Sequence, residues 1–208
     1  MTKSFGPILA LGAALLASAC NDGSVVGAPG SEPDESATPT AEASPVPTLP
    51  PVPGDIEIVL QWDDLGDDWE LHLVKPGGSI NDNATDCTWT SCVSASPDWG
   101  VLGDPVDDPH KDFDDVDQFG PERVWLANPE AGTYTVLVEH WGTGLPESDG
   151  SVTLDVGGQI VSVSMSDLAP QHVWTAARIA WPSGTITPTQ DVFDCTASWA
   201  GGCTATLP

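Results

Sequence analysis

The chain is short of bases. Its 208 residues include five Lys and Arg against 31 Asp and Glu, a formal charge of −26 at pH 7. A surface of that sign repels phosphate backbones and anionic head groups, which excludes nucleic acid as an electrostatic partner. Long apolar runs are also scarce: the main one, Ile8 to Ala19, is too short to span a bilayer stably. No segment carries a helical period. The catalytic signatures that short motifs reveal are absent too, with no H-E-x-x-H, no H-x-x-E-H and no G-x-S-x-G elbow. The cysteine spacings C-x4-C and C-x7-C are not those of a zinc knuckle.

What is present begins with a compartment. Lys3 precedes the apolar stretch, which ends in L-L-A-S-A-C at Cys20. Small residues before a cysteine fit a bacterial lipoprotein signal, so residues 1–19 read as a signal peptide and Cys20 as the lipidated N-terminus, a membrane anchor made stable by several acyl chains. Asn21 rather than Asp follows Cys20, which favours the outer membrane or cell surface over the inner membrane. Residues 20–53 are rich in Pro, Ser and Ala and hold no aromatic residue, the composition of a disordered tether. Setting Cys20 aside leaves Cys87, Cys92, Cys195 and Cys203, an even number that reads as two disulfides in an exported chain. Three connectivities are open; the local pairs Cys87–Cys92 and Cys195–Cys203 are the expected ones.

Residues 54–208 suffice for one well-buried domain and hold all nine Trp. Ile56, Ile58, Leu60 and Trp62 alternate with less apolar neighbours, the period of a strand. In the next strand Trp69, Leu71 and Leu73 share one face, and Asp68, Glu70 and His72 the other. Further strands are expected over 123–127, 132–141, 151–156, 159–165, 172–181 and 185–189, with Gly157-Gly158 as a hairpin turn. The pattern predicts an all-β domain, a β-sandwich or jelly roll, interrupted by one long acidic loop over 76–122.

Several motifs of this domain belong together: W-D-D from Trp62, D-W-E-L-H-L from Asp68 and P-G-G from Pro76, then P-D-W-G from Pro97 and D-D-V-D-Q-F-G-P-E from Asp114 to Glu122, then G-T-Y-T-V-L-V from Gly132 with His140-Trp141. As a set, over roughly Ile56 to Trp181, they resemble the YfaP-like family of uncharacterised bacterial domains, especially those in surface lipoproteins. The resemblance implies a β-sandwich and no defined activity. The chain departs from the family pattern at Glu70, where Asp is usual.

The acidic loop carries the candidate chemistry. Asp104, Asp107, Asp108, Asp112, Asp114, Asp115, Asp117 and Glu122 stand against a single base, Lys111. So many carboxylates need water or a cation between them. Ca²⁺, which takes six to eight oxygens, is the expected cofactor, held by Asp68, Glu70, Asp112, Asp114, Asp115, Asp117 and Glu122. The spacing is not that of an EF-hand: counting from Asp115, the fifth and twelfth positions are Phe119 and Leu126. His72, Trp89, Trp99 and Trp141 form a candidate ligand face suited to a glycan or an envelope protein. No catalytic residue stands out. Paired carboxylates would also suit an extracellular hydrolase, and a purely structural surface protein is the third reading.

Overall fold

The computed structural model describes Leu49 and residues 54–116, 118–143 and 145–203. The expected signal peptide, the expected lipidation site Cys20 and nearly all of the expected tether lie outside these residues, as does Asp117. The domain is all-β, as the alternation predicts: two antiparallel sheets of five strands each.

The first sheet takes β1 (Ile56–Trp62), β4 (Pro109–Lys111), β5 (Glu122–Leu126), β7 (Ser148–Val156) and β8 (Gln159–Leu168), in the order β4-β5-β1-β7-β8. The second takes β2 (Trp69–Val74), β3 (Asp86–Cys87), β6 (Gly132–His140), β9 (His172–Trp181) and β10 (Thr185–Asp194), in the order β10-β9-β6-β2-β3. The inner faces of the two sheets meet in one core. It includes Ile56, Ile58 and Leu60 from β1, Leu71 and Leu73 from β2, and Trp174 from β9, all fully buried. On β1 every second residue is buried, which is the period that made the strand legible.

β2 differs: all six of its residues are buried. Its outer face is covered too, so Glu70 and His72 are removed from water together with Trp69 and Leu71. Part of that cover is the C-terminal loop, stapled by Cys195–Cys203 and packed with Val74, Ile80, Leu137 and Val173 in a second, smaller apolar cluster. Both disulfides are the local pairs, with Cα separations of 5.3 Å for Cys87–Cys92 and 5.4 Å for Cys195–Cys203. They place the domain in an oxidising, extracellular or envelope-exposed setting. Among the described residues no helix is long and apolar enough to cross a membrane.

The stretch 76–122 is not one loop. It contains β3, a single helical turn α1 (Trp89–Cys92) and β4. Backbone amides in it are taken by its own acids: Val101 N donates to Asp107 at 2.7 Å, Trp99 N to Asp108 at 2.8 Å and Gly120 N to Asp115 at 2.9 Å. Much of the acidity is therefore turn-making, because a short carboxylate can satisfy an amide that no strand reaches. β10 also runs further than expected, to Asp194, around a bulge between Pro188 and Asp191.

Close approach dictates one glycine. A Cβ on Gly150 would lie 2.3 Å from Cζ3 of Trp69, whose Nε1 donates to Ser148 at 2.9 Å. Gly150→Ala must push the indole off that position, and the expected cost is about 1–3 kcal/mol. Chemical denaturation of the variant domain checks this; an unchanged midpoint would refute the packing described.

Candidate functional site

On the side of β2 away from β6, only the end of the strand has a neighbour. β3 pairs with it only at Leu73 and Val74, so the backbone of Leu71 faces no strand. Two side chains from the first sheet take the place of one. Leu71 N donates to Oε2 of Glu122 at 2.9 Å, and Lys111 Nζ approaches Leu71 O at 3.5 Å. Lys111 Nζ itself lies 2.7 Å from Oε2 of Glu122 and is hydrogen-bonded to Oε1 of Glu70. Glu70 also accepts from the Thr88 hydroxyl at 2.6 Å and from Trp89 N at 2.9 Å. Glu122 accepts from Asp115 N at 3.2 Å through its other oxygen. All three side chains are buried. The solitary base of the acidic run is thus the internal cation of two of the expected metal ligands.

One ammonium does not balance the group. Burial alone would raise Glu70, but the Lys111 charge, with His72 and Thr88, outweighs it and holds Glu70 below its usual range. Glu122 goes the other way, pushed up to about 8 by burial and by Glu70. Lys111 is raised, since the two glutamates outweigh its desolvation. Asp114 is raised by burial and by Glu70. Asp68 is raised to about 7 by burial, then by Asp114 and Glu70. Glu122, Asp114 and Asp68 are therefore held above the usual carboxylate range, first by burial and then because the acids outnumber the one ammonium among them.

Those carboxylates floor a pocket of about 170 Å³, lined by Asp68, Glu70, Trp89, Asp114, Val116 and Trp141. The rings of Trp89 and Trp141 stand nearly at right angles, interplanar angle 85° and centroids 6.4 Å apart. Trp89 enters from α1, fixed beneath by the Cys87–Cys92 staple. Trp141 follows β6. Its N donates to Asp68 O at 2.7 Å, its Nε1 to Glu139 at 3.2 Å, and its ring packs edge-on against Trp199 of the second stapled loop, centroids 5.3 Å apart. Three of the expected cation ligands, Asp68, Glu70 and Asp114, and two residues of the expected ligand face, Trp89 and Trp141, thus line one cavity.

Not all expected residues join it. Glu70, Asp114 and Glu122 bring one oxygen each within 4.8 Å of one another and could hold a metal ion. Asp112 is committed elsewhere, accepting from Arg123 Nε at 2.7 Å. Asp115 serves Gly120 N. Two members of the expected ligand face are corrected. Trp99 is 1% exposed, and its Nε1 donates to Ala84 O at 3.0 Å, so it anchors the loop from inside. His72 is fully buried, with Nδ1 2.8 Å from Asp86 and Nε2 3.4 Å from Glu139. Burial alone would lower it, but those two carboxylates win and raise it to about 10. Lys111, Thr88 and Glu139 had no place in the sequence-based set. The signal for Lys111 was available: it is one of four bases after Cys20, and it sits amid acids.

No family model matches the chain, and no curated protein and no solved structure matches it.

Lys111→Met tests the cluster. It leaves Glu70 and Glu122 buried without a counter-charge and is expected to cost about 3–5 kcal/mol. Replacing both glutamates by Gln in the same chain should recover most of that loss. Denaturant midpoints at pH 7.5 decide, and a harmless Lys111→Met would refute the pairing.

A second outcome follows from His72. Its pKa is raised above the unfolded value of about 6.5, so its stabilisation is complete below that value and is lost as pH rises through about 10. Melting temperature should fall steeply across that upper window in the wild type and less in His72→Gln.

Proposed function

We propose that the domain is a binding module of the bacterial cell envelope, displayed by a lipid on Cys20 and the 20–53 tether, which captures a positively charged group of a partner molecule in the Trp89–Trp141 pocket. One observation carries this reading: two indoles at right angles line the same pocket as Asp68, Glu70 and Asp114. Indole faces attract a cation through the ring quadrupole, and a desolvated carboxylate supplies the full charge. A methylated or primary ammonium on a partner protein presents both charge and C–H surface, which suits both kinds of wall. A neutral sugar would leave the surplus negative charge in place. The motif resemblance to YfaP-like domains of surface lipoproteins agrees with such an accessory role, and we propose that membership on the motifs alone.

A second reading is favoured by the three oxygens of Glu70, Asp114 and Glu122 within 4.8 Å. Ca²⁺ would be held there with Asp68, and the indoles would stack a glycan. Lys111 weighs against it, since its ammonium already occupies the space between two of the ligands. A hydrolase reading draws on Asp68, which at about pH 7 is poised to give or take a proton beside ionised Glu70.

The test is a titration of residues 54–208 with tetramethylammonium, with a lysine-bearing peptide and with Ca²⁺ at fixed ionic strength, followed by Trp emission and by melting. The organic cations should bind, and Trp141→Ala should weaken them about tenfold, the scale of one desolvated cation–π contact of roughly 1–2 kcal/mol. Binding should tighten as pH rises through about 7, because Asp68 must ionise, and Asp68→Asn should flatten that dependence. A response to Ca²⁺ alone would install the calcium reading in its place. No response to either ion would sink both.

A further inference from the structure

The four sheet edges are not treated alike. β3 and β4 are two and three residues long, too short to recruit a foreign strand. β10 carries Pro188, a bulge, and the charges of Asp191 and Asp194. These are the usual defences of an exposed edge. β8 has none of them over its regular part. From Gln159 to Ser166 it has no charge, no Pro and no Gly, in a chain of net charge −26. It pairs on one side with β7, in unbroken register from Gly150↔Met165 to Val156↔Gln159. Among the described residues its other side receives one side-chain hydrogen bond, from Gln190 Nε2 to Ser164 O at 3.3 Å. Ile160 is 67% exposed, and Ser162, Ser164 and Ser166 are exposed as well.

We propose that β8 is a self-association edge, which pairs antiparallel with β8 of a second copy and joins the two first sheets into one sheet of ten strands. The strand is self-complementary when read against itself about Val163. That register sets Ser162 opposite Ser164 and Val161 opposite Met165, all within the stretch that pairs regularly with β7. Hydroxyls meet hydroxyls, and apolar side chains meet on the core side. Cross-strand pairs of these kinds are favourable, whereas like charges directly opposite are not. Val161 and Met165 already pack at the margin of the core, so the pairing extends a buried surface that exists. A second copy is the fitting occupant because it supplies the matching strand in the matching register, as a two-fold interface requires. The net charge of −26 adds a general repulsion between copies, to which this uncharged stretch contributes nothing. Gln190 is exposed and long enough to swing aside.

The experiment is sedimentation equilibrium on residues 54–208, which contain both sheets, both disulfides and the core. The wild type should show a monomer–dimer equilibrium that tightens with salt, since the Debye length shrinks from about 10 Å at 0.1 M to about 3 Å at 1 M and screens the like-charged flanks. Ser162→Asp with Ser164→Asp places carboxylates opposite each other twice across the axis and should abolish the dimer without lowering the melting temperature at low concentration, both sites being exposed. Ser162→Lys with Ser164→Asp places each Lys opposite an Asp in the proposed register and should restore it. A wild type that stays monomeric at high concentration and high salt overturns the proposal. A dimer indifferent to the double Asp variant overturns it as well, and so does a Lys–Asp variant that stays monomeric.

Discussion

The sandwich depends on the placement of one ammonium group. Lys111 on β4 and Glu122 on β5 belong to the first sheet, whereas Glu70 and the backbone of Leu71 belong to β2 of the second. Their contacts hold the two sheets together where β2 has no strand beside it. An apolar closure could have held that side, and buried ion pairs are commonly no more stabilising than well-packed hydrophobes. What the charged closure does differently is to bring acids inward. With two glutamates around one lysine, burial and Glu70 push Glu122 up, and Glu70 also meets each further carboxylate nearby with a like charge.

Asp68 and Asp114 are those further carboxylates. Their raised pKa values and the pocket they floor are one fact seen twice: the interior is short of a cation on the side that opens to solvent. The aromatic wall is built with comparable care. Trp141 is fixed through its amide, its ring nitrogen and the Trp199 ring, and Trp199 is held in turn by the Cys195–Cys203 loop. The same loop is tied to the buried His72 group, because Asn81 bonds both Asp86 and Cys203. A rigid pair of indoles loses little entropy when a ligand arrives, which is how a small pocket gains affinity.

The fold was legible where burial alternates. β1 shows a strict period of two, and its bounds match the pattern residue for residue. The disulfides were legible because four cysteines remain and two pairs are near in sequence. Legibility failed where a strand is buried on both faces or is very short. Glu70 and His72 look like the solvent face of β2 until the stapled loop is seen to cover them. β4 is three residues long, and its Pro-His-Lys has no alternation to detect. The acidic run misled for a related reason: a count of carboxylates does not separate those that close turns, such as Asp107, Asp108 and Asp115, from Asp114, which lines a cavity. Spacing along the chain could not show Lys111 turning inward, since that depends on β4 being laid against β5.

The two open sides of the sandwich thus receive opposite chemistry. Where β4 and β5 face β2, the closure is ionic, buried and adjacent to a pocket. At the other end β8 lies beside β9 and β10, and its free edge is neutral and exposed. Because the strand orders put these features at opposite ends of each sheet, pairing through β8 leaves both pockets clear. It also turns a single weak site into two on one rigid sheet. Two linked sites raise avidity through effective concentration without any new contact. A cationic group bound by one pair of indoles and a few carboxylates is held only modestly. The neutral edge and the acidic pocket are therefore complementary: a strongly negative chain keeps one strand free of charge, and pairing through that strand would multiply a site whose proposed affinity for cations rests on the same negative charge.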